Sequence, residues 1–331
     1  MTGVGYREPR YATSVPAESE MRRRAKKGIV RKRRSADVLP VYPAGKHEPV
    51  DAEAQAVAVP RPQQESRGRD DTARKRSVPP VLEPRPNGLA DRFSQRFGPT
   101  NPVRVFIVAL LAGWALLVTF MVFLGLFLIH ILLPTGGLLE ADQDFSQWLA
   151  DNRSPTQEDI SWVGSTLSGG HVIPAVLAIG LITFMIMRRW ILAAFVVLVV
   201  AVESATYRVT SLIVERERPD VERLESLPVD ASYPSGHTAA AVAMYGGLLL
   251  LLASRFDNAF VRVIAVILGV TIPLFVAWAR MYRGMHHLSD VIAGLLMGLG
   301  AVVILVFAAR AARASTDRRD GVGIAADGRT G

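Results

Sequence analysis

The 331-residue chain contains no cysteine, and it contains no lysine after Lys75. The absence of cysteine excludes a disulfide framework, a thiolate zinc site and a cysteine nucleophile. The first hundred residues also lack an apolar run as long as the core of a signal peptide, which argues against a cleaved secretory signal. All five lysines lie within the first 75 residues, so the first part of the chain and the remainder differ in composition.

Residues 1–104 carry the whole excess of positive charge, with 22 lysine and arginine residues against 12 aspartate and glutamate residues. They also hold 13 of the 20 prolines and show little hydrophobic periodicity. Such a segment cannot bury enough apolar surface to offset the entropy lost on ordering it. We therefore predict a disordered, basic, proline-rich cytoplasmic tail over residues 1–102.

Nine basic side chains are concentrated within that tail, at residues 22–34. The run is either a solvated, disordered charge segment or a site for anionic lipid or a cytoplasmic partner, at about 1 kcal/mol per basic residue near a lipid surface. No folded basic module with interleaved aromatic residues accompanies it, so we expect no nucleic-acid partner.

After Arg104 the sequence becomes strongly apolar, and residues 105–133 contain no aspartate, glutamate, lysine or arginine. At a rise of about 1.5 Å per residue, a helix of that length exceeds the ~30 Å hydrocarbon core of a bilayer. Five more apolar segments follow, at 171–187, 190–214, 236–253, 259–279 and 289–309. The pattern predicts an all-α fold, with a bundle of six transmembrane helices over residues 103–310 and a disordered cytoplasmic tail over 311–331.

The distribution of arginine predicts how the bundle is inserted. Basic residues flank the start of span 1, the links between spans 2 and 3 and between spans 4 and 5, and the end of span 6. The link at 134–170 instead holds one arginine and six acidic residues. By the positive-inside rule, we predict a plasma-membrane protein with both termini in the cytoplasm. The links 134–170, 215–234 and 280–288 then lie on the extracytoplasmic face.

Three motifs with polar chemistry lie in or beside those links. They are ERERPD, with Arg216 and Arg218; YPSGHTAA, with Ser235, Gly236 and His237; and ARMYRGMHHLSD, with Arg280, Arg283, His286, His287 and Asp290. An even number of membrane crossings separates each pair of motifs, so all three share one face in either orientation. The shared face predicts a joint site.

The residue types in these motifs suit a phosphoryl group. Arginine offers a planar fork of donors to phosphate oxygens, and a Ser-Gly pair at the start of an apolar helix lets backbone N–H groups approach an anion. Two histidines can divide phosphoryl transfer, one attacking phosphorus and one protonating the leaving oxygen. If a helix begins near His286, Asp290 lies one turn further on, where its carboxylate can hold the imidazole in the reactive tautomer.

Other polar residues have plainer expected roles. We expect His287 and Arg283 to lie at the lipid interface. We expect Glu203, within span 3, to face the bundle interior and to pair with Arg208 or with another span. The glycines of span 6 include a small-xxx-small pattern that favours close helix packing.

The three motifs together resemble the type 2 phosphatidic acid phosphatase family, membrane relatives of the vanadium haloperoxidases. The family pattern K-x6-R-P, P-S-G-H and S-R-x5-H-x3-D is matched by Arg218-Pro219, by Pro234 to His237, and by Arg280, His286 and Asp290. The similarity covers about residues 105–310.

Two positions depart from the family pattern. Ser211 stands at the family lysine, and Ala279 stands at the serine before the third-motif arginine. Because the body has no lysine at all, we hypothesise that Arg216 or Arg208 supplies the missing charge.

The resemblance implies a membrane lipid phosphate phosphatase that uses no metal or other cofactor. It implies that His286 is the nucleophile and forms a phosphohistidine, that Asp290 orients it, and that His237 protonates the leaving oxygen and later activates water. The implied phosphate ligands are Arg218, Ser235, Gly236 and Arg280. The implied substrates are polyprenyl diphosphate, phosphatidic acid or phosphatidylglycerol phosphate, reached from the membrane.

Two other functions stay open at the level of sequence. A lipid phosphotransferase would pass the phosphoryl group from His286 to an alcohol instead of to water. A non-catalytic membrane scaffold would bind lipid phosphates or recruit partners through its tail. The intact His237, His286 and Asp290 argue against the scaffold, whereas Ser211 argues weakly for it.

Overall fold

The computed structural model describes residues 79–226 and 231–321, and within them all regular secondary structure is helical. The basic run at 22–34 lies outside the described residues, as do residues 322–331. The helices are α1 (Leu89–Phe97), α2 (Pro102–Thr135), α3 (Leu138–Asp151), α4 (Pro155–Leu167), α5 (Val172–Ile186), α6 (Trp190–Ile213), α7 (Gly236–Ala253), α8 (Ala259–Tyr282) and α9 (Leu288–Arg319). The predicted all-α class is confirmed.

Five of these helices (α2, α6, α7, α8 and α9) are long and apolar enough to cross a membrane. The predicted span at 171–187 corresponds to α5, whose 15 residues extend only about 22 Å. Helix α5 follows α4 after a bend of 47°, and only together are the two long and apolar enough to cross. The bundle therefore has six spans if this bent pair forms one broken span, and five otherwise.

Polar caps and prolines fix where several helices begin. The side chain of Asn101 accepts a hydrogen bond from the backbone N–H of Arg104, and Pro102 opens α2. Ser154 caps α4 in the same way ahead of Pro155. Both arrangements satisfy a backbone donor that the first turn of a helix leaves unpaired. The polar links that carry the motifs therefore end at defined residues.

Helices α7 and α9 touch backbone to backbone at the end where the motifs lie. A Cβ atom at Gly294 would lie 2.5 Å from the carbonyl oxygen of Ser235, and one at Gly298 would lie 2.5 Å from that of Ala239. Only glycine fits such an approach without displacing the partner helix. The predicted close packing at the span 6 glycines is confirmed, and it places the start of α7 against the start of α9.

Part of the predicted N-terminal tail is folded. Leu82 is 1% exposed, and the carbonyl oxygen of Val81 accepts a hydrogen bond from Arg310 Nε at 2.8 Å. Asp91 in α1 pairs with Arg318 near the end of α9. Described residues outside the predicted limits of 103 and 310 therefore contact one another and the helices of the bundle. The hydropathy of the sequence does not reveal these segments. Helix α1 is amphipathic and has only nine residues, and the end of α9 is polar, so neither is recognised as an apolar span.

Candidate active site

The predicted site residues converge where α6, α7, α8 and α9 begin or end. Arg218 follows α6, Ser235 precedes α7, Gly236 and His237 open α7, Arg280 lies in the last turn of α8, His286 lies between α8 and α9, and Asp290 lies in the first turn of α9. The backbone N–H of Ser235 donates to the carbonyl oxygen of Asp290 at 3.0 Å. The structure thus brings the three motifs together, as the parity of the spans predicts.

Arg280 is the most deeply buried arginine of the cluster, with 0% of its surface exposed. Its Nη1 donates to Ser165 Oγ at 2.6 Å and to Glu225 Oε2 at 2.5 Å. Its Nε and Nη2 are buried and have no hydrogen-bond partner among the described residues. These two nitrogens form one edge of the guanidinium plane, the fork that binds carboxylate or phosphate with two parallel hydrogen bonds. A buried fork without a partner is costly, so this edge is suited to an anionic ligand.

Glu225 holds the other edge of Arg280 and was missed at the level of sequence. Its carboxylate bridges two arginines, because Oε1 also accepts from Arg283 Nε at 2.5 Å. Burial raises the pKa of this carboxyl group, but the charge of Arg280 and the hydrogen bonds from Ser165 and Arg280 outweigh burial, and the net pKa is lowered. Glu225 is therefore ionised near neutral pH. Arg283 is buried rather than placed at the lipid interface, so that expectation is wrong.

His286 is buried, and its ring is held by a backbone carbonyl. Nδ1 lies 2.8 Å from the carbonyl oxygen of Ser232. A carbonyl only accepts, so Nδ1 carries the proton and Nε2 keeps a free lone pair. Burial lowers the pKa of His286 well below its usual range, and the positive charge of Arg280 lowers it further, against the opposing charge of Asp290. The imidazole is therefore neutral at pH 7, as a nucleophile requires.

Asp290 does not hydrogen-bond to His286, contrary to the prediction. Its Oδ2 accepts from Ser232 Oγ at 2.5 Å and from the backbone N–H of His287 at 3.0 Å, and it lies 3.3 Å from His287 Nδ1. Ser232 therefore joins the two, since its hydroxyl binds Asp290 while its carbonyl binds His286. Asp290 is thus linked to the imidazole through Ser232 and not directly. His287 is buried in this contact and is not at the lipid interface, which corrects the sequence-based expectation.

Arg216 forms ion pairs with two carboxylates inside the bundle. Its Nη1 donates to Asp290 Oδ1 at 2.5 Å, and its Nη2 donates to Asp142 Oδ2 at 2.8 Å. Asp142 also accepts from the backbone N–H of Ser289 at 3.2 Å. Because both Nη atoms of Arg216 bind Asp142 and Asp290, its contacts do not support the hypothesis that it supplies the charge of the missing family lysine. It compensates two buried carboxylates that would otherwise be costly.

The other candidate for that charge, Arg208, has an exposed side chain. Ser211 itself donates from Oγ to the carbonyl oxygen of Arg208 at 3.3 Å, so its hydroxyl is directed back onto its own helix. The expected pairing of Glu203 with Arg208 is also not formed. Glu203 is buried and accepts from Ser204 Oγ at 3.1 Å.

The start of α7 packs against an aromatic ring. Ser235 is the N-cap residue, and its Oγ lies 2.9 Å from Thr238 Oγ1. A Cβ atom at Gly236 would lie 3.0 Å from Cε2 of Tyr207, so glycine is needed for this close approach. Arg280, Glu225 and Arg218 are the charged groups near His237. Tyr207 carried no motif signal and is identified only by its position.

Arg218 forms hydrogen bonds with the backbone in two links. Its Nη1 donates to the carbonyl oxygen of Met285 and its Nη2 to that of Ala231 at 3.2 Å. The first bond reaches the residue before His286, and the second reaches the residue before Ser232. Arg218 therefore fixes the backbone on both sides of the imidazole and brings a permanent positive charge near it.

Comparison with known proteins matches residues 192–314 to the family model described as the PAP2 superfamily. The chain is 27% identical over 190 residues to phosphatidylglycerophosphatase B of Bacillus subtilis (strain 168), a match that covers 53% of this chain and 88% of that protein. It is 41% identical over 75 residues to undecaprenyl-diphosphatase of Sulfolobus acidocaldarius, covering 23% of this chain and 32% of that protein. Among solved structures, a transmembrane PAP2 type phosphatidylglycerolphosphate phosphatase from Bacillus subtilis superposes with a TM-score of 0.49 at 23% identity, over 62% of this chain and 94% of that one.

Proposed function

We propose that the chain is a member of the PAP2 superfamily and a membrane lipid phosphate phosphatase whose phosphoryl acceptor is His286. The observation that carries the proposal is the buried Nε–Nη2 edge of Arg280, which no described residue hydrogen-bonds and which lies close to the neutral imidazole of His286. A phosphoryl group satisfies both donors of that edge at once, while its phosphorus is open to attack by a nitrogen lone pair.

The proposed reaction has two steps. His286 Nε2 attacks phosphorus, and the bond from phosphorus to the leaving oxygen breaks as His237 gives that oxygen a proton. A phosphomonoester leaves as the lipid alcohol, and a diphosphate leaves as the lipid monophosphate. Water then attacks the phosphohistidine while His237 takes the proton of the water, and inorganic phosphate departs with His286 restored. Arg280 and Arg218 stabilise the charge on the phosphoryl oxygens throughout.

The substrate class we propose is a lipid phosphomonoester or diphosphate, with phosphatidylglycerol phosphate, phosphatidic acid and polyprenyl diphosphate as candidates. The names of the similar proteins support the first and the last of these. The positive charge around His286 comes from arginine side chains, and the proton donor that we propose, His237, is a histidine. We therefore propose that hydrolysis needs no metal ion.

A substrate panel tests this function. We expect the purified protein to release inorganic phosphate from at least one of the three candidate lipids, and we expect EDTA to leave the rate unchanged. His286→Ala serves as the inactive control. Release from none of the lipids would contradict the proposal. Appearance of 32P on a second lipid would instead identify a phosphotransferase, and lipid binding without release would identify a scaffold.

We also propose that the active site lies on the extracytoplasmic face and that both described ends of the bundle lie in the cytoplasm. The absence of native cysteine makes single introduced cysteines unambiguous reporters. Asp151 and Asp257 are exposed residues in links that we predict to lie on opposite sides of the membrane. In intact cells or spheroplasts, a membrane-impermeant maleimide should label Asp151→Cys and should label Asp257→Cys only after lysis. The reverse pattern would place the site in the cytoplasm.

A further inference from the structure

Tyr207 lies at the phosphate end of the site although no motif marks it. It belongs to the last two turns of α6, and its ring packs against Gly236, with Cε2, Cδ2 and Cζ at 3.0, 3.1 and 3.2 Å from where a Cβ of residue 236 would stand. Gly236 follows the Ser235 cap of α7. The phenol ring is therefore held at the N-terminal end of α7, where phosphate ligands were predicted.

The hydroxyl of Tyr207 has an unusual environment. The charged groups that act on it are Arg218, Glu203, Arg280 and Arg208. No described residue forms a hydrogen bond with it, while other tyrosine hydroxyls of the bundle are bonded, as Tyr245 is to the carbonyl oxygen of Leu167 at 2.6 Å. A phenol that is packed in place, near two buried arginines and without a hydrogen-bond partner among the described residues, is suited to donate to a ligand that those arginines also bind.

Tyr207 also lies close in sequence to Ser211, the position of the missing family lysine. Ser211 is four residues later on α6, so the two residues lie on the same face one turn apart. The hydroxyl of Ser211 is turned onto its own helix, Arg208 is exposed, and Arg216 is bound by carboxylates. Of these four residues, Tyr207 is the one that is partly buried and whose side chain forms no hydrogen bond with a described residue.

We propose that Tyr207 is a substrate-contacting residue whose hydroxyl donates a hydrogen bond to a non-bridging oxygen of the transferring phosphoryl group. This inference rests on the proposed phosphatase function of the same site. The tyrosine supplies a donor but no charge, so the positive charge of the site comes from Arg218 and Arg280. Its ring, fixed by Gly236, places the donor without the flexible stem that a lysine has.

The test compares Tyr207→Phe with the wild-type protein. Phenylalanine keeps the ring on Gly236 and removes only the hydroxyl, so the fold should survive, as a thermal unfolding midpoint near that of the wild type would show. We expect kcat/KM for the active lipid phosphate to fall about 10- to 100-fold, as expected for loss of one hydrogen bond to a charged group. We expect the Kd for orthovanadate, a mimic of the five-coordinate phosphoryl group, to rise by a similar factor.

The matched control is Tyr245→Phe, which removes a hydroxyl from another tyrosine of the bundle and should leave both constants near the wild-type values. Equal vanadate affinity in wild type and Tyr207→Phe would overturn the inference. A wild type that binds vanadate but hydrolyses none of the lipids would instead contradict the proposed function, and the ratio of the two vanadate constants would still decide the role of Tyr207. A wild type that neither hydrolyses the lipids nor binds vanadate would overturn both.

Discussion

Replacing His286 by alanine should abolish turnover, with a fall in kcat of at least about 10³-fold, because the proposed nucleophile is removed. The structure supports this assignment on two grounds. The Ser232 carbonyl fixes the proton on Nδ1, so Nε2 is free to attack. Burial and the charge of Arg280 lower the pKa of the ring, so the attacking form dominates at pH 7.

The measurement has two parts, the rate of phosphate release and the trapping of 32P on the protein after an acid-free quench. Wild type should retain label that is stable in base and labile in acid, as a phosphohistidine is, and His286→Ala should retain none. The control is His171→Ala, which changes an exposed histidine at the start of α5 and should behave as wild type. Substantial hydrolysis by His286→Ala would refute the assignment of the nucleophile.

The motif residues were accessible from the sequence because their signals are local. The spacing from Arg280 to His286 and Asp290 fits one link and one helix start, and the even number of crossings puts the motifs on one face. The hydropathy of α2 and α9 likewise needs no partner to be recognised. What these signals specify is the identity of the groups and the end of the bundle where they meet.

The contacts that set the roles of those groups were not accessible, because they join segments far apart in the chain. Asp142 reaches Arg216 across 74 residues and Ser289 across 147. Glu225 lies in a link with several acidic residues, and nothing in its neighbours distinguishes it from Glu222, whose side chain is exposed. The residue type was also ambiguous, because Arg216, Arg280 and Arg283 are all arginines but differ in their contacts. Arg216 binds two carboxylates, and Arg280 binds one carboxylate through Nη1 alone. Arg283 binds that same carboxylate and two further protein groups.

This difference between arginines leads to the second large expected effect, in Arg280→Lys. Lysine keeps the positive charge but offers a single ammonium group in place of the planar fork, so it cannot bind Glu225 with one edge and two phosphoryl oxygens with the other. We expect kcat/KM to fall about 10²- to 10³-fold, as when an aligned donor to the transition state is lost. The Kd for orthovanadate should rise with it.

Arg283→Lys is the matched control, because Arg283 also binds the carboxylate of Glu225 but its donors are occupied by protein groups. Its Nε binds Glu225 at 2.5 Å, its Nη1 binds Ser161 Oγ at 3.2 Å, and its Nη2 binds the carbonyl oxygen of Leu224 at 3.0 Å. Its replacement should therefore lower the thermal unfolding midpoint while leaving vanadate affinity within about threefold of wild type, since the lost hydrogen bonds are structural. Equal losses of vanadate affinity in the two variants would show that Glu225, and not the open edge of Arg280, governs binding of the phosphoryl group. Arg280 Nε and Nη2, which have no hydrogen-bond partner among the described residues, separate these outcomes, because the corresponding donors of Arg283 bind Glu225 and the carbonyl oxygen of Leu224.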